Sequence, residues 1–129
     1  MSDLPPLPLA LVVITRDASA QLAECLASAA FAAETIVVDS GSRDDTVQIA
    51  GRFGARVFEQ AWLGFGGQKN FAVAQAHNDW VLCLDADEHV SAELAASIRS
   101  VLAQSSRLLA KLHKRLLLLA FRRTSFRSR

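Results

Sequence analysis

This sequence is short of several things that would have decided its class at once. It has two cysteines, Cys25 and Cys83, too few for a disulfide framework or for a zinc site built on cysteine spacing. Both sit in apolar surroundings, where a thiol behaves as a small core residue in a reducing compartment. No apolar run approaches the roughly 20 residues needed to span a bilayer. Met1–Pro8 has no basic stretch and Leu9–Ile14 is too short for a signal core, so a cytoplasmic or membrane-peripheral chain is expected. Proline is confined to Leu4–Pro8, a stiff lead-in. No Gly-x-Gly-x-x-Gly follows the first apolar run, which disfavours an ordinary dinucleotide-binding module. His77, His89 and His113 share no metal-ligand spacing. Ser40 and Ser42 have no histidine nearby to activate them, which disfavours a hydrolase.

Acid is also missing from the C-terminal segment. All 13 Asp and Glu lie at or before Glu93, whereas nine of the 14 Lys and Arg lie at or after Arg99. The formal charge of +1 conceals this split. It sets residues 100–129 apart from 1–99 as a basic, leucine-rich tail. Leu108–Arg123 reads either as a basic amphipathic helix suited to a membrane surface or as readthrough in a shifted frame. The tail lacks the aromatic interleaving of a nucleic-acid reader, so no nucleic-acid partner is expected.

What the chain does have is alternation. Leu9–Ile14, Thr35–Val38, Arg56–Glu59 and Trp80–Leu84 are short apolar runs of strand character. Between and after them, helical patterns cover Ala18–Phe31, Thr46–Ala50, Gln68–His77 and Ser91–Gln104. Ser42-Arg-Asp-Asp45 has the form of a capping box for the second helix, and Gly54 closes it. Trp62–Gly67 is a glycine-rich loop. The order implies an α/β fold, a mostly parallel sheet with helices on both faces and right-handed crossovers. Three strands end in polar groups: Thr15-Arg16-Asp17, Asp39-Ser40-Gly41-Ser42 and Asp85-Ala86-Asp87-Glu88. In such sheets ligands bind at the carboxyl edge, where strand order reverses. If the chain stays extended past Leu84, the period of two puts Asp85 and Asp87 on one face. A hard divalent cation relieves their repulsion, and Mg²⁺ takes one or two carboxylates plus substrate phosphates. Alternatively, these acids only end the strand and cap the next helix.

Val37-Val-Asp-Ser-Gly-Ser-Arg-Asp-Asp-Thr46 resembles the nucleotide-binding segment of family 2 glycosyltransferases of the GT-A fold. Leu84-Asp-Ala-Asp-Glu88 resembles their metal-binding Asp-x-Asp. Trp62 with Gly64-Phe-Gly-Gly-Gln-Lys-Asn70 is similar to bacterial enzymes of lipopolysaccharide core assembly, of the β-1,4-glucosyltransferase type. The match covers about Leu9–Ile98. Asp17 stands where many relatives carry Asn, and relatives continue beyond this length into an acceptor-binding half that contains the catalytic base, so the chain resembles a truncated GT-A domain.

The resemblance implies a nucleotide-sugar donor, UDP-glucose, a divalent metal (Mg²⁺ or Mn²⁺) and a lipid-linked saccharide acceptor at the inner face of the cytoplasmic membrane. It implies donor-binding roles for Thr15, Asp17, Asp39, Ser40, Gly41, Lys69, Asn70 and Asp85, with Asp85 and Asp87 at the metal and no base identified. Asp39 then bonds the base or ribose, or else opens an Asx-turn. Lys69 lies near the diphosphate, or is a surface lysine. Trp62 and Phe65 border the donor site, or anchor the core. Glu88 caps or solvates the helix at Ser91.

Overall fold

The computed structural model describes residues 4–108 and 115–116. Its strands are β1 (Leu7–Thr15), β2 (Ala32–Asp39), β3 (Arg56–Glu59), β4 (Trp80–Asp85) and β5 (Arg115–Leu116), and its helices are α1 (Leu22–Ser28), α2 (Thr46–Arg52), α3 (Gly64–Ala74) and α4 (Ala92–Leu108). The strands pair in the order β3-β2-β1-β4-β5, all parallel. The chain steps outward from β1 to β3, then crosses back to place β4 on the other side of β1. Strand order therefore reverses between β1 and β4, and a ligand crevice is expected at their carboxyl ends.

Alternation along β1 divides the core in two. Leu9, Leu11 and Val13 face α1, α2 and α4, meeting Leu22, Leu26, Ala50, Leu94 and Ile98. Ala10, Val12 and Ile14 face α3 through Ala72, with Ala76 just past the helix end in the same cluster. β1 is buried on both faces, which is why it reads as a continuous apolar run. Helices α1 and α2 lie on one face and α3 on the other, as right-handed crossovers demand when the direction of travel reverses.

Two boundaries differ from the sequence reading. Alanine-rich 18–31 contains a helix of only seven residues, Leu22–Ser28, because Ala32 is drawn into pairing with Leu7 of β1. Sheet pairing overrides alanine's helix propensity there. The glycine-rich segment expected as a loop instead forms the first turn of α3. Gln68, fully buried, holds it: its amide oxygen accepts from the Leu63 N–H at 3.0 Å, and its amide nitrogen donates to the Gln60 carbonyl at 3.0 Å.

Helix α2 ends as expected, with Gly54 at φ +77° and the Ala55 and Gly54 N–H groups donating to the Ala50 and Gly51 carbonyls, a Schellman closure. Its start differs. Asp45 makes no side-chain cap bond. Asp44 takes that role, accepting from the Thr46 N–H at 3.0 Å and from the Thr46 hydroxyl.

Helix α4 runs without a break across the expected 99/100 boundary. In the tail, Arg115 and Leu116 pair with Trp80 and Val81 as a strand, so the helix expected over Leu108–Arg123 is not continuous there. The rest of that segment lies outside the described residues. Among the described residues no helix is long and apolar enough to cross a membrane.

The two central glycines of the first α3 turn should respond oppositely to alanine. A Cβ on Gly67 would lie 2.9 Å from the Leu63 Cβ, whereas one on Gly66 meets nothing within 4 Å. Urea denaturation should show Gly67→Ala destabilised by about 1–3 kcal/mol through overpacking. Gly66→Ala should be neutral, or more stable by up to about 1 kcal/mol through helix propensity.

Candidate functional site

Register brings the polar strand ends into one row. Thr15 pairs with Asp39, Ile14 with Asp85, and Asp39 with Glu59. A cavity of about 420 Å³ opens at this edge, lined by Ile14, Thr15, Arg16, Ser40, Trp62, Phe65 and Asp85. Its size falls within the range of small-molecule sites.

Asp39 is 1% exposed. One carboxylate oxygen accepts from the Thr15 hydroxyl at 2.7 Å and the Ser42 hydroxyl at 2.5 Å; the other accepts from the Gly41 N–H at 3.0 Å and the Ser42 N–H at 2.8 Å. Four donors saturate it, so the Asx-turn alternative describes its bonding here. Any bond to a nucleotide would have to replace one of the four. Burial alone would raise its pKa, but the Ser42 hydroxyl and amide, the Thr15 hydroxyl and the Gly41 amide outweigh burial and hold it below the ordinary 3.8. The residue that β2 presents to the cavity is the next one, Ser40, whose N–H donates to the Thr15 carbonyl at 3.1 Å.

Asp17 is exposed and left-handed, at φ +49°. Asp and Asn tolerate that conformation better than other non-glycine residues, which accounts for either of them at this position. Its N–H donates to the Ser42 hydroxyl at 2.7 Å, and its carboxylate accepts from the Arg43 N–H at 2.7 Å. Asp17 and Gly41 thus shape the two loops that flank the cavity and do not line it. Arg16, between Thr15 and Asp17 in the first strand-end cluster, does line it. A lone cation between two polar residues at a strand's carboxyl end was the signal available there.

The acidic turn is built differently from the extended-chain expectation. β4 stops at Asp85, and Ala86 and Asp87 form a turn closed by the Glu88 N–H donating to the Asp85 carbonyl at 2.9 Å. The period-two placement of Asp85 and Asp87 therefore does not apply. Glu88 does not cap α4; its carboxylate accepts from the Asp85 N–H at 2.8 Å and closes the same turn. Ser91 is the α4 cap, accepting from the Leu94 N–H at 3.0 Å. Beneath the turn, the Cys25 thiol donates to the Asp85 carbonyl at 3.6 Å. Burial, then the carboxylates of Glu88, Asp85 and Asp87, push that thiol to about 12, so it stays protonated and inert.

Asp85 faces the cavity and Asp87 is exposed at the turn. Lys69 reaches across from α3, its ammonium 3.6 Å from an Asp85 oxygen. Asn70, one residue on, is exposed and does not line the cavity. Trp62 and Phe65 are 49% and 71% exposed, with ring centroids 4.9 Å apart in an edge-to-face pair; they border the cavity and do not anchor the core. Among the described residues, no three His, Cys, Asp or Glu side chains converge as a metal site. The carboxylates of Asp85 and Asp87 are hard oxygen donors that suit Mg²⁺ or Mn²⁺ with phosphate oxygens completing the shell.

A doubly sided parallel sheet with a cavity at its switch point and an acidic turn on one wall matches a known class. The family model for glycosyl transferase family 2 matches residues 10–98, and the chain belongs to that family. A protein described as an uncharacterized glycosyltransferase of Rickettsia felis is 46% identical over 92 residues, covering 70% of this chain and 32% of the relative. The lipopolysaccharide core biosynthesis glycosyltransferase LpsC of Rhizobium meliloti is 34% identical over 107 residues, covering 79% of this chain and 40% of the relative. Among solved structures, S. aureus TarS (1–349) superposes with a TM-score of 0.62 at 24% identity, over 74% of this chain and 32% of that one, and shows the shared fold. Glucosyl-3-phosphoglycerate synthase from Mycobacterium tuberculosis, in complex with Mn²⁺, UDP and glucosyl-3-phosphoglycerate, superposes with a TM-score of 0.56 at 27% identity, over 62% of this chain and 33% of that one. The chain spans about a third of the length of the first of these relatives.

The Asp39 bonding gives a pH signature. Its depressed folded pKa contributes stability that is complete above the ordinary 3.8 and is lost as pH falls through the folded value. Asp39→Asn leaves donors facing a donor, and should cost about 2–3 kcal/mol at neutral pH. In denaturant titrations at successive pH values, the gap between wild type and variant should close as the solution is acidified below 3.8.

Proposed function

We propose that this chain is the donor-binding part of a metal-dependent hexosyltransferase that takes glucose from UDP-glucose for transfer to a lipopolysaccharide core acceptor. The observation that carries this reading is the cavity at the β1/β4 switch point, with Asp85 on one wall and Lys69 reaching that carboxylate. The LpsC relative supports the acceptor class by its name, and the mycobacterial synthase supports UDP with Mn²⁺.

Roles follow from placement. Thr15 and Ser40, at adjacent strand ends, hold the nucleoside; Asp39, Gly41 and Asp17 fix the loops around it. Asp85 and Asp87 hold the cation, and Lys69, followed by Asn70, meets the diphosphate at the start of α3. A divalent metal held there would neutralise charge on the departing nucleoside diphosphate. Trp62 and Phe65 border the sugar end. A lipid-linked acceptor would bring the protein to the inner face of the cytoplasmic membrane, with the basic tail as the contact.

Transfer also needs a base within about 2.6–3.2 Å of the acceptor hydroxyl. No Asp or Glu follows Glu93, and Asp39, Asp85 and Asp87 already have donor-side roles. The second reading is therefore that the 129-residue chain binds nucleotide and metal without turnover.

UDP with Mn²⁺ should raise the melting temperature, with about 2.7 kcal/mol of stabilisation at a ligand concentration 100 times Kd. Asp87→Ala should remove most of that rise; an unchanged rise would remove Asp87 from the metal site. Incubated with radiolabelled UDP-glucose and a core-truncated lipopolysaccharide, the chain alone should transfer sugar far more slowly than about 1 per second. A rate at or above that value would reveal a base within these 129 residues.

A further inference from the structure

Lys69 is held on Asp85 by geometry that precedes any ligand. Gln68, immediately before it, is fully buried and bonded to Gln60 and Leu63. Gly67, immediately before that, has no room for a Cβ. The first turn of α3 is thus fixed at two successive positions, and the lysine that follows projects toward the end of β4. Its ammonium stands 3.6 Å from Asp85, with the lysine side chain 22% exposed and the aspartate 39%. The pair is partly open to solvent at both ends, and screening keeps it weak enough to exchange partners; fully exposed pairs are worth about 0–1 kcal/mol.

Resting on the donor-site reading above, we propose that Lys69 is a resident counter-ion that trades places with the metal. Without ligand, its ammonium compensates Asp85. When a divalent cation arrives with a nucleoside diphosphate, the cation takes Asp85, and Lys69 turns to the diphosphate oxygens. The charge at the mouth then stays nearly balanced in both states. Lys69 consequently opposes metal binding when metal comes alone and favours nucleotide binding when the two come together. The site resists filling with free metal and takes the metal–nucleotide complex as a unit.

This requires one substitution to act with opposite signs on two ligands. In Lys69→Met, Mn²⁺ binding without nucleotide, read from the loss of the free-ion electron paramagnetic resonance signal, should become about two- to fivefold tighter. UDP binding at saturating Mn²⁺, read by calorimetry, should weaken about tenfold, the loss expected of a charge-assisted hydrogen bond. Lys69→Arg, which keeps the charge, should stay close to wild type in both. If Lys69 merely tied α3 to β4, Lys69→Met would melt lower and weaken both ligands, and the counter-ion role would be overturned. An equal gain in Mn²⁺ affinity for Arg16→Met, which removes the same charge from the cavity without touching the Asp85 pair, would reduce the effect to net charge and also overturn it. If wild type and Asp87→Ala bind Mn²⁺ alike in the presence of UDP, the metal site itself is refuted, and the exchange with it.

Discussion

Asp39 accepts hydrogen bonds from two hydroxyls and two backbone N–H groups at the point where β2 leaves the sheet. A buried carboxylate is costly unless its lone pairs are filled, and four donors fill them. Thr15 is tied to β2 by the same oxygen that holds the Ser42 hydroxyl, and the Ser42 hydroxyl in turn accepts from Asp17. The loop after β1 and the loop after β2 are thereby one hydrogen-bonded unit. Thr46 and Asp44 extend it, with the Thr46 hydroxyl accepting from the Ala18 N–H at 2.8 Å and Asp44 from the Ser19 N–H at 3.1 Å. One wall of the cavity is fixed before any ligand arrives, which lowers the ordering cost of binding.

The opposite wall depends on a second device. Sheet order places β4 beside β1, and crossover handedness puts α3 on the face away from the other helices. The start of α3 therefore comes to the end of β4. Gln68 and Gly67 set where that helix begins, and Lys69 then meets Asp85. The acidic turn has its own closure, because Asp85 and Glu88 each donate a backbone N–H to the other residue's oxygen. Asp85 is thus held from both sides of its chain, while Asp87 stays exposed at the turn.

The family match ends at residue 98, close to where the last acid gives way to the basic tail. Helix α4 does not stop there; it continues to Leu108. Its buried face explains this continuity. Leu94, Ile98 and Leu102 recur at helical spacing and pack on the same sheet face as α1 and α2. Propensity and burial carry the helix across a point where composition changes, so charge patterning marked a boundary that packing does not respect.

The sequence by itself determined the layer architecture and the polar strand ends that register brings to one edge of the sheet. Apolar runs that end in polar clusters depend only on burial and on the strand period, and both are local properties. β3 at Arg56–Glu59 was legible for the same reason, and the closure of α2 because a left-handed position after a helix favours glycine. Only the tertiary structure decided which polar residue does what. Asp39 and Ser40 are neighbours in sequence, yet one is sealed by four donors from Thr15, Gly41 and Ser42 and the other faces the cavity. The glycine-rich segment became helix because a buried glutamine five residues after Leu63 bonds back to it. The acids after Leu84 turned and did not run on extended, because Glu88 closes on the Asp85 N–H. Each outcome depends on which hydrogen bonds a side chain completes once its segment is packed, and the order of residue types alone does not show that.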